Sequence, residues 1–71
     1  MKKFVLKSEY IELVKLIKLL GLAETGGHAK NMIEAGEVKL NGLTEFRKRA
    51  KLRNGDLVDV AGVLIKIEEG N

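Results

Sequence analysis

The stretch Ala29–Gly42, AKNMIEAGEVKLNG, decides the fold because a helix end, a strand and a turn follow one another within it. Apolar residues recur with helical spacing up to Ile33. Gly36 then supplies a residue that tolerates the left-handed conformation in which helices commonly end. Polar and apolar residues alternate up to Leu40, and Asn41-Gly42 is the strongest short signal for a β-hairpin. We therefore expect a helix that passes directly into a hairpin.

Two helices are expected before this hairpin. The apolar residues between Tyr10 and Leu20 have helical spacing, with Ser8 as a candidate N-cap and Gly21 placed to end the helix. Thr25 is the N-cap candidate of a second helix, which should run to about Ala35. Its positions divide into an inner stripe and an exposed side: Ala29, Met32 and Ile33 inward, and Lys30, Asn31 and Glu34 outward.

Short strands are expected on both sides of the helices. Phe4–Leu6 is a plausible first strand. Beyond the hairpin, alternating segments and turn residues predict the following elements: a strand from Leu43, a turn at 54–56, a strand at 57–60, a turn at 61–62, a last strand at 63–67 and a frayed end at 68–71. Together these elements predict an α+β fold in one domain, residues 1–71, with two N-terminal helices packed on a small, mostly antiparallel sheet.

Basic charge is concentrated in Lys39–Arg53, KLNGLTEFRKRAKLR. This window holds six Lys or Arg residues against one acid, Glu45, a net +5, so the +3 of the whole chain leaves −2 elsewhere. Concentrated cations on a small folded domain indicate a polyanionic partner, most often nucleic acid. The alternative is a solvated edge whose charges protect exposed strands from aggregation.

Several other classes of function have little support in the composition. The chain has no Cys, which excludes disulfides and thiolate metal sites. Its single histidine, His28, is expected to face solvent or to be hydrogen-bonded, not to bind a metal. No apolar run approaches the roughly 20 residues of a membrane span, so we expect a cytoplasmic protein. Nothing resembles a Ser-His-Asp set, a P-loop or a dinucleotide fingerprint, and we expect no catalysis, cofactor or small-molecule substrate.

The aromatic residues are few: Phe4, Tyr10 and Phe46. This scarcity argues against a binder that stacks one base after another on aromatic side chains. We expect Tyr10 to pack within the first helix, with base stacking as the alternative.

The residues Ala29–Gly42, followed by Asn54–Val58 (NGDLV), resemble the RNA-binding domain of ribosomal protein S-four type, also called the alpha-L motif. That family has an apolar helix, a second helix with a basic residue after Ala, then G-x-V-x-V-N-G and a later G-D step into a strand. The resemblance covers about Glu9–Val60. The run Glu45–Lys51 is similar to the small stand-alone bacterial members, the YbcJ-like group.

The resemblance implies a non-catalytic module that binds structured RNA, such as ribosomal or transfer RNA, with ribosomal particles as a further partner. It also suggests a role in ribosome assembly or translation. The candidate RNA-binding residues, taken from the matching positions and the basic run, are Lys30, Asn31, Lys39, Asn41, Arg47, Lys48, Arg49, Lys51 and Arg53.

Two positions depart from the family pattern. Thr25-Gly26 stands where many members have Ser-Arg, and Glu37 stands where many have a basic residue. Gly26 and Gly27 either expose backbone N–H groups for a phosphate or simply allow a tight turn between the helices.

Two other readings remain open from the sequence. The strand, helix, L-N-G and G-D pattern also resembles sulfur carriers of the β-grasp type, but those need a C-terminal Gly-Gly, whereas this chain ends Gly70-Asn71. The third reading is an adaptor whose cations dock an acidic protein.

Overall fold

The computed structural model describes residues 1–70 and shows two helices and two β-sheets. The elements are β1 (Lys2–Leu6), β2 (Ile11–Glu12), α1 (Leu13–Leu19), α2 (Gly26–Glu34), β3 (Val38–Leu40), β4 (Leu43–Thr44), β5 (Lys51–Leu52), β6 (Leu57–Val60) and β7 (Val63–Glu69). One sheet has the order β1-β7-β6-β3-β4, and β2 pairs with β5 in a separate two-stranded ribbon.

The expected α+β fold class is confirmed, and the expected first strand at Phe4–Leu6 lies within β1. The description of the two helices as N-terminal is not confirmed, because β1 and β2 precede them. β1 lies at one edge of the large sheet and runs parallel to β7, whereas the other neighbours in that sheet are antiparallel. The partner strand, β7, follows the helices in the chain. The residues before α1 therefore give no local sign of this parallel pairing.

The first helix begins later than its apolar spacing predicts. Ser8 is not its N-cap, because the Ser8 hydroxyl donates to the Tyr10 carbonyl instead (3.0 Å). The next two residues, Ile11–Glu12, are extended and pair with Lys51–Leu52. The apolar periodicity alone assigns this segment to the helix. It forms a strand instead, because it pairs with a segment that is distant in the sequence.

The second helix agrees with the prediction. The Thr25 hydroxyl accepts a hydrogen bond from the backbone N–H of His28 (3.0 Å), as an N-cap does. The predicted inner stripe, Ala29, Met32 and Ile33, is buried. Gly36 has φ +80° and ends the helix as predicted.

The turns after the helices also agree with the prediction, but the C-terminal end does not. Asn41 and Gly42 both have positive φ, 51° and 86°, in the two-residue turn between β3 and β4. The predicted fraying from Glu68 is wrong, because β7 continues to Glu69, which pairs with Leu6. The last predicted frayed residue, Asn71, lies outside the described part of the chain.

The core lies between the helices and one face of the large sheet. Its buried apolar residues come from every layer and include two from the basic run, Ala50 and Leu52. Residues 1–70 contain no helix that is both long and apolar enough for a membrane span. The core thus anchors the segment in which positive charge is concentrated, while the charged side chains of that segment stay in solvent.

Candidate nucleic-acid interface

We define the basic segment as Arg47–Arg53 (RKRAKLR). Two of its side chains are anchored in the core, and its cations face solvent. Ala50 is 4% exposed and Leu52 is fully buried. The other five side chains are cationic and all exposed: Arg47, Lys48, Arg49, Lys51 and Arg53. Burying the two apolar side chains fixes the path of the segment, so the cations have a defined direction.

The start of α1 fixes the segment further. The N–H groups of Leu13 and Val14 donate to the carbonyls of Ala50 (2.9 Å) and Lys48 (3.0 Å). The first N–H groups of a helix have no acceptor within the helix, and the N-cap residue, Glu12, makes no side-chain cap here. The basic segment therefore supplies the cap of α1, and the helix in return fixes the backbone of the segment.

Tyr10 joins the basic segment through the β2–β5 ribbon. The Lys51 ammonium nitrogen lies 4.9 Å from the centroid of the Tyr10 ring, and the Arg53 guanidinium carbon lies 5.4 Å from it. Both distances suit a cation–π contact. The expectation that Tyr10 packs within a helix is wrong, because the residue precedes β2 and the ring lies beside two cations.

The sequence contains a weak sign of this contact. Tyr10-Ile11-Glu12 and Lys51-Leu52-Arg53 each place one apolar residue between two residues with polar groups. In the antiparallel register Ile11 lies opposite Leu52, so the flanking residues share the outer face of the ribbon. Pairing two such short segments requires knowledge of the tertiary fold.

Arg47 is held by Glu45. Its Nε donates to Glu45 Oε2 (3.1 Å), its Nη2 to Oε1 (3.2 Å) and its backbone N–H to Oε2 (3.0 Å). The side-chain hydrogen bond from Arg47 is the largest cause of a lowered pKa for Glu45, and the same bond raises the pKa of Arg47. Arg47 stays 78% exposed at the side chain, whereas Glu45 is 13% exposed.

This contact both orients Arg47 and offsets its charge. A guanidinium carries five N–H donors, of which Glu45 engages two, so three can still bind a further anion. Within residues 1–70 the ion pairs involve the cations Lys3, Lys30 and Arg47. Four cations of the basic segment thus lack a carboxylate partner there: Lys48, Arg49, Lys51 and Arg53.

The two candidate residues on α2 are exposed, as predicted. Lys30 lies 3.9 Å from the carboxylate of Glu34, one helical turn further on. Such exposed pairs are weak and readily exchanged. Asn31 is exposed next to it.

The two candidate residues of the hairpin differ in their surroundings. Lys39 is exposed on the face of the sheet that the helices do not cover, between Thr44 and Asp59 on the neighbouring strands. The Asn41 side chain donates to Asp56 Oδ1 (3.1 Å) and accepts from the Leu57 backbone N–H (2.8 Å), which ties the hairpin to the next turn. The candidate residues therefore lie on different elements: α2, the hairpin and the basic segment. Most of the candidate cations lie in the basic segment, beside Tyr10.

Phe46, which precedes the basic segment, is not among the residues predicted to bind RNA. The residue is 61% exposed, and its ring lies near Gly36, where a Cβ atom would be 3.7 Å from Phe46 Cε1. An aromatic residue inside a cationic run is a sequence signal, but only the structure shows that the ring stays in solvent.

The chain is similar to known proteins over most of its length. A family model described as S4 domain matches residues 4–68. YbcJ of Escherichia coli (strain K12) is 41% identical over 61 residues, which covers 86% of this chain and 87% of that protein. YbcJ of Shigella flexneri matches to the same extent.

Two solved structures share the fold. The solution structure of YbcJ from E. coli, described as revealing an alfaL motif involved in RNA-binding, has a TM-score of 0.72 and 40% identity, covering 96% of this chain and 87% of that one. The 30S ribosomal protein S4e from Thermoplasma acidophilum has a TM-score of 0.68 at 24% identity, covering 82% of this chain and 31% of that one, and shows the fold alone.

Proposed function

The chain belongs to the S4 domain family, and on that premise we propose that it is a non-catalytic module that binds structured RNA. The whole of residues 1–71 forms one RNA-binding domain in this proposal. The RNA is of ribosomal or transfer type, and the protein acts on it in the cytoplasm during ribosome assembly or translation. The β-grasp sulfur-carrier alternative is not retained, because the S4 match covers residues 4–68.

The observation that carries this proposal is the fixed geometry of the basic segment. Its backbone is held by Ala50 and Leu52 in the core and by two hydrogen bonds to α1, while its cations are exposed. Cations that are already ordered lose less conformational freedom when they bind. A segment built in this way is therefore suited to a ligand with a defined array of phosphates.

The residues divide by the way in which they meet the RNA. Lys48, Arg49, Lys51 and Arg53 bind phosphates directly, and Arg47 does so through the donors that Glu45 leaves available. Lys39 of the hairpin and Lys30 and Asn31 of α2 extend the contact, and Asn41 keeps the hairpin in place with one N–H left for RNA. Double-stranded RNA is recognised largely through its shape and backbone, which suits such a set of contacts.

The test is a charge reversal measured against a matched control. Arg47→Glu with Lys51→Glu should weaken binding to a fluorescent RNA hairpin by at least about tenfold, because two phosphate contacts become repulsive. Lys2→Glu with Lys18→Glu changes the net charge equally on exposed residues of other elements and should leave the affinity nearly unchanged. Circular dichroism should show that both variants fold.

Two results would contradict the proposal. One is equal affinity of the basic-segment variant and the wild type, with both folded. The other is recovery from cells with a single acidic protein that survives nuclease treatment, since an RNA-binding module should instead be recovered with RNA particles in a nuclease-sensitive manner.

A further inference from the structure

Phe46 has an exposed aromatic side chain and lies next to the basic segment. The side chain does not pack in the core. Within residues 1–70 the large apolar side chains that are exposed are Met1, Val5, Leu19, Leu43, Phe46 and Leu64, and Phe46 is the aromatic one among them. Single exposed apolar side chains are common on protein surfaces, so exposure alone says little. What distinguishes Phe46 is how the ring is held and which groups surround it.

The ring is supported on one side. A Cβ atom at Gly36 would lie 3.7 Å from Cε1 and 4.0 Å from Cζ of Phe46, and the Thr44 methyl group lies close to the same point. The ring thus lies beside Gly36 at the end of α2, close enough that a side chain at this position would touch it. The side chain has support without being buried, and more than half of it remains available to a ligand.

The backbone at Phe46 is also held. Glu45 donates its backbone N–H to the Val38 carbonyl (2.9 Å), and its carboxylate accepts hydrogen bonds from the backbone and side chain of Arg47. Phe46 lies between these two residues. The backbone at Phe46 is consequently fixed, and the cations Arg47, Lys48 and Arg49 follow it directly along the chain.

An aromatic surface next to cations on a fixed backbone matches the two parts of a nucleotide. A base can stack on the ring, because every base has a π-face, while its flanking phosphates bind the cations. A base inside an uninterrupted duplex is not available for this, whereas a bulged or looped base can be turned outward. One exposed ring in this position accommodates one base, which agrees with the small number of aromatic residues.

We propose that Phe46 stacks on a single unpaired base, so that the ligand is duplex RNA interrupted by a bulged or looped nucleotide. The inference rests on the proposed function and specifies the class of RNA. The phosphates on either side of the unpaired nucleotide bind Arg47, Lys48 and Arg49.

The experiment compares two RNA hairpins with the same stem, one uninterrupted and one with a single bulged 2-aminopurine. Stacking on an aromatic side chain should make the bulged RNA bind roughly 5- to 100-fold more tightly to the wild type. Binding should also change the 2-aminopurine fluorescence, because the base leaves its neighbouring bases and stacks on Phe46. Phe46→Leu keeps an apolar side chain but has no π-face, so it should lose both the preference and this change in fluorescence. Phe46→Tyr should keep both.

The results separate this inference from the proposed function. If neither RNA binds the wild type, the proposed function fails and the stacking inference fails with it. If both RNAs bind the wild type equally, or if Phe46→Leu retains the preference and the change in fluorescence, RNA binding stands and the stacking inference is overturned. Because Phe46 is exposed, both variants should fold, which circular dichroism and urea unfolding check directly.

Discussion

Replacing Lys51 and Arg53 together by glutamine should lower the salt dependence of RNA binding by a calculable amount. Each phosphate neutralised by a cation contributes about 0.7 to 0.9 to the slope of log affinity against log salt concentration. All five cations of the basic segment bind phosphates in the proposed function, so they should contribute about −3.5 to −4.5 to the wild-type slope. Removing two of the five should bring that contribution to about −2.1 to −2.7.

The assay is a fluorescence anisotropy titration of a structured RNA at several KCl concentrations. The matched control is Lys2→Gln with Lys18→Gln, which removes two exposed cations from β1 and α1 and so changes the net charge equally. Its slope should equal that of the wild type. Urea unfolding checks for a loss of stability, since the variant also removes both cation–π contacts to Tyr10.

Two results would refute this reasoning. An unchanged slope in the basic-segment variant would mean that Lys51 and Arg53 do not neutralise phosphates. An equal decrease in both variants would mean that net charge rather than the position of the charges sets the affinity.

Other predictions concern the scaffold that presents the cations. Because Arg47 lowers the pKa of Glu45 in the folded state, this contact should stabilise the protein above pH 4.5, and the stabilisation should be lost as the pH falls through the lowered value. Glu45→Gln should therefore be less stable than the wild type at neutral pH in urea unfolding, and the difference should shrink on acidification; a constant difference would argue against the contact. Gly42→Ala should destabilise the protein by about 1 kcal/mol, because φ at Gly42 is +86°. Gly26→Ala should stabilise the protein by about 0.5 to 1 kcal/mol, because Gly26 begins α2 and a Cβ atom there would meet nothing within 4 Å. Urea unfolding measures both changes in the free energy of unfolding. Two changes of the same sign would contradict the difference in backbone conformation between Gly42 and Gly26.

The sequence predicts well those elements that depend on nearby residues. The N-cap at Thr25, the helix end at Gly36 and the turn at Asn41-Gly42 each depend on the conformational preference of one or two residues. These are local interactions, and the structure contains all three as expected.

The elements that the sequence does not predict depend on distant partners. The start of α1 is displaced because Ile11–Glu12 pairs with β5, and the C-terminal strand extends because Glu69 pairs with Leu6. Neither pairing leaves a local signal, since short apolar segments fit a helix and a strand equally well.

The candidate site shows the same division. The concentration of cations and their exposure follow from charge pattern and from the alternation around Ala50 and Leu52. Counting charges does not show that Glu45 holds Arg47, or that Asn41 is used to tie two turns together. Those contacts depend on the path of the backbone through the basic segment.

The most direct test of the central claim is a map of backbone amide shifts in the ¹⁵N-labelled protein on addition of structured RNA. The account predicts that the largest changes fall on residues 46–53, on Tyr10 and on Leu13 and Val14, whose N–H groups bind carbonyls of the basic segment. It predicts small changes along β1 and β7. Largest changes along β1 and β7, with the basic segment unaffected, would contradict it.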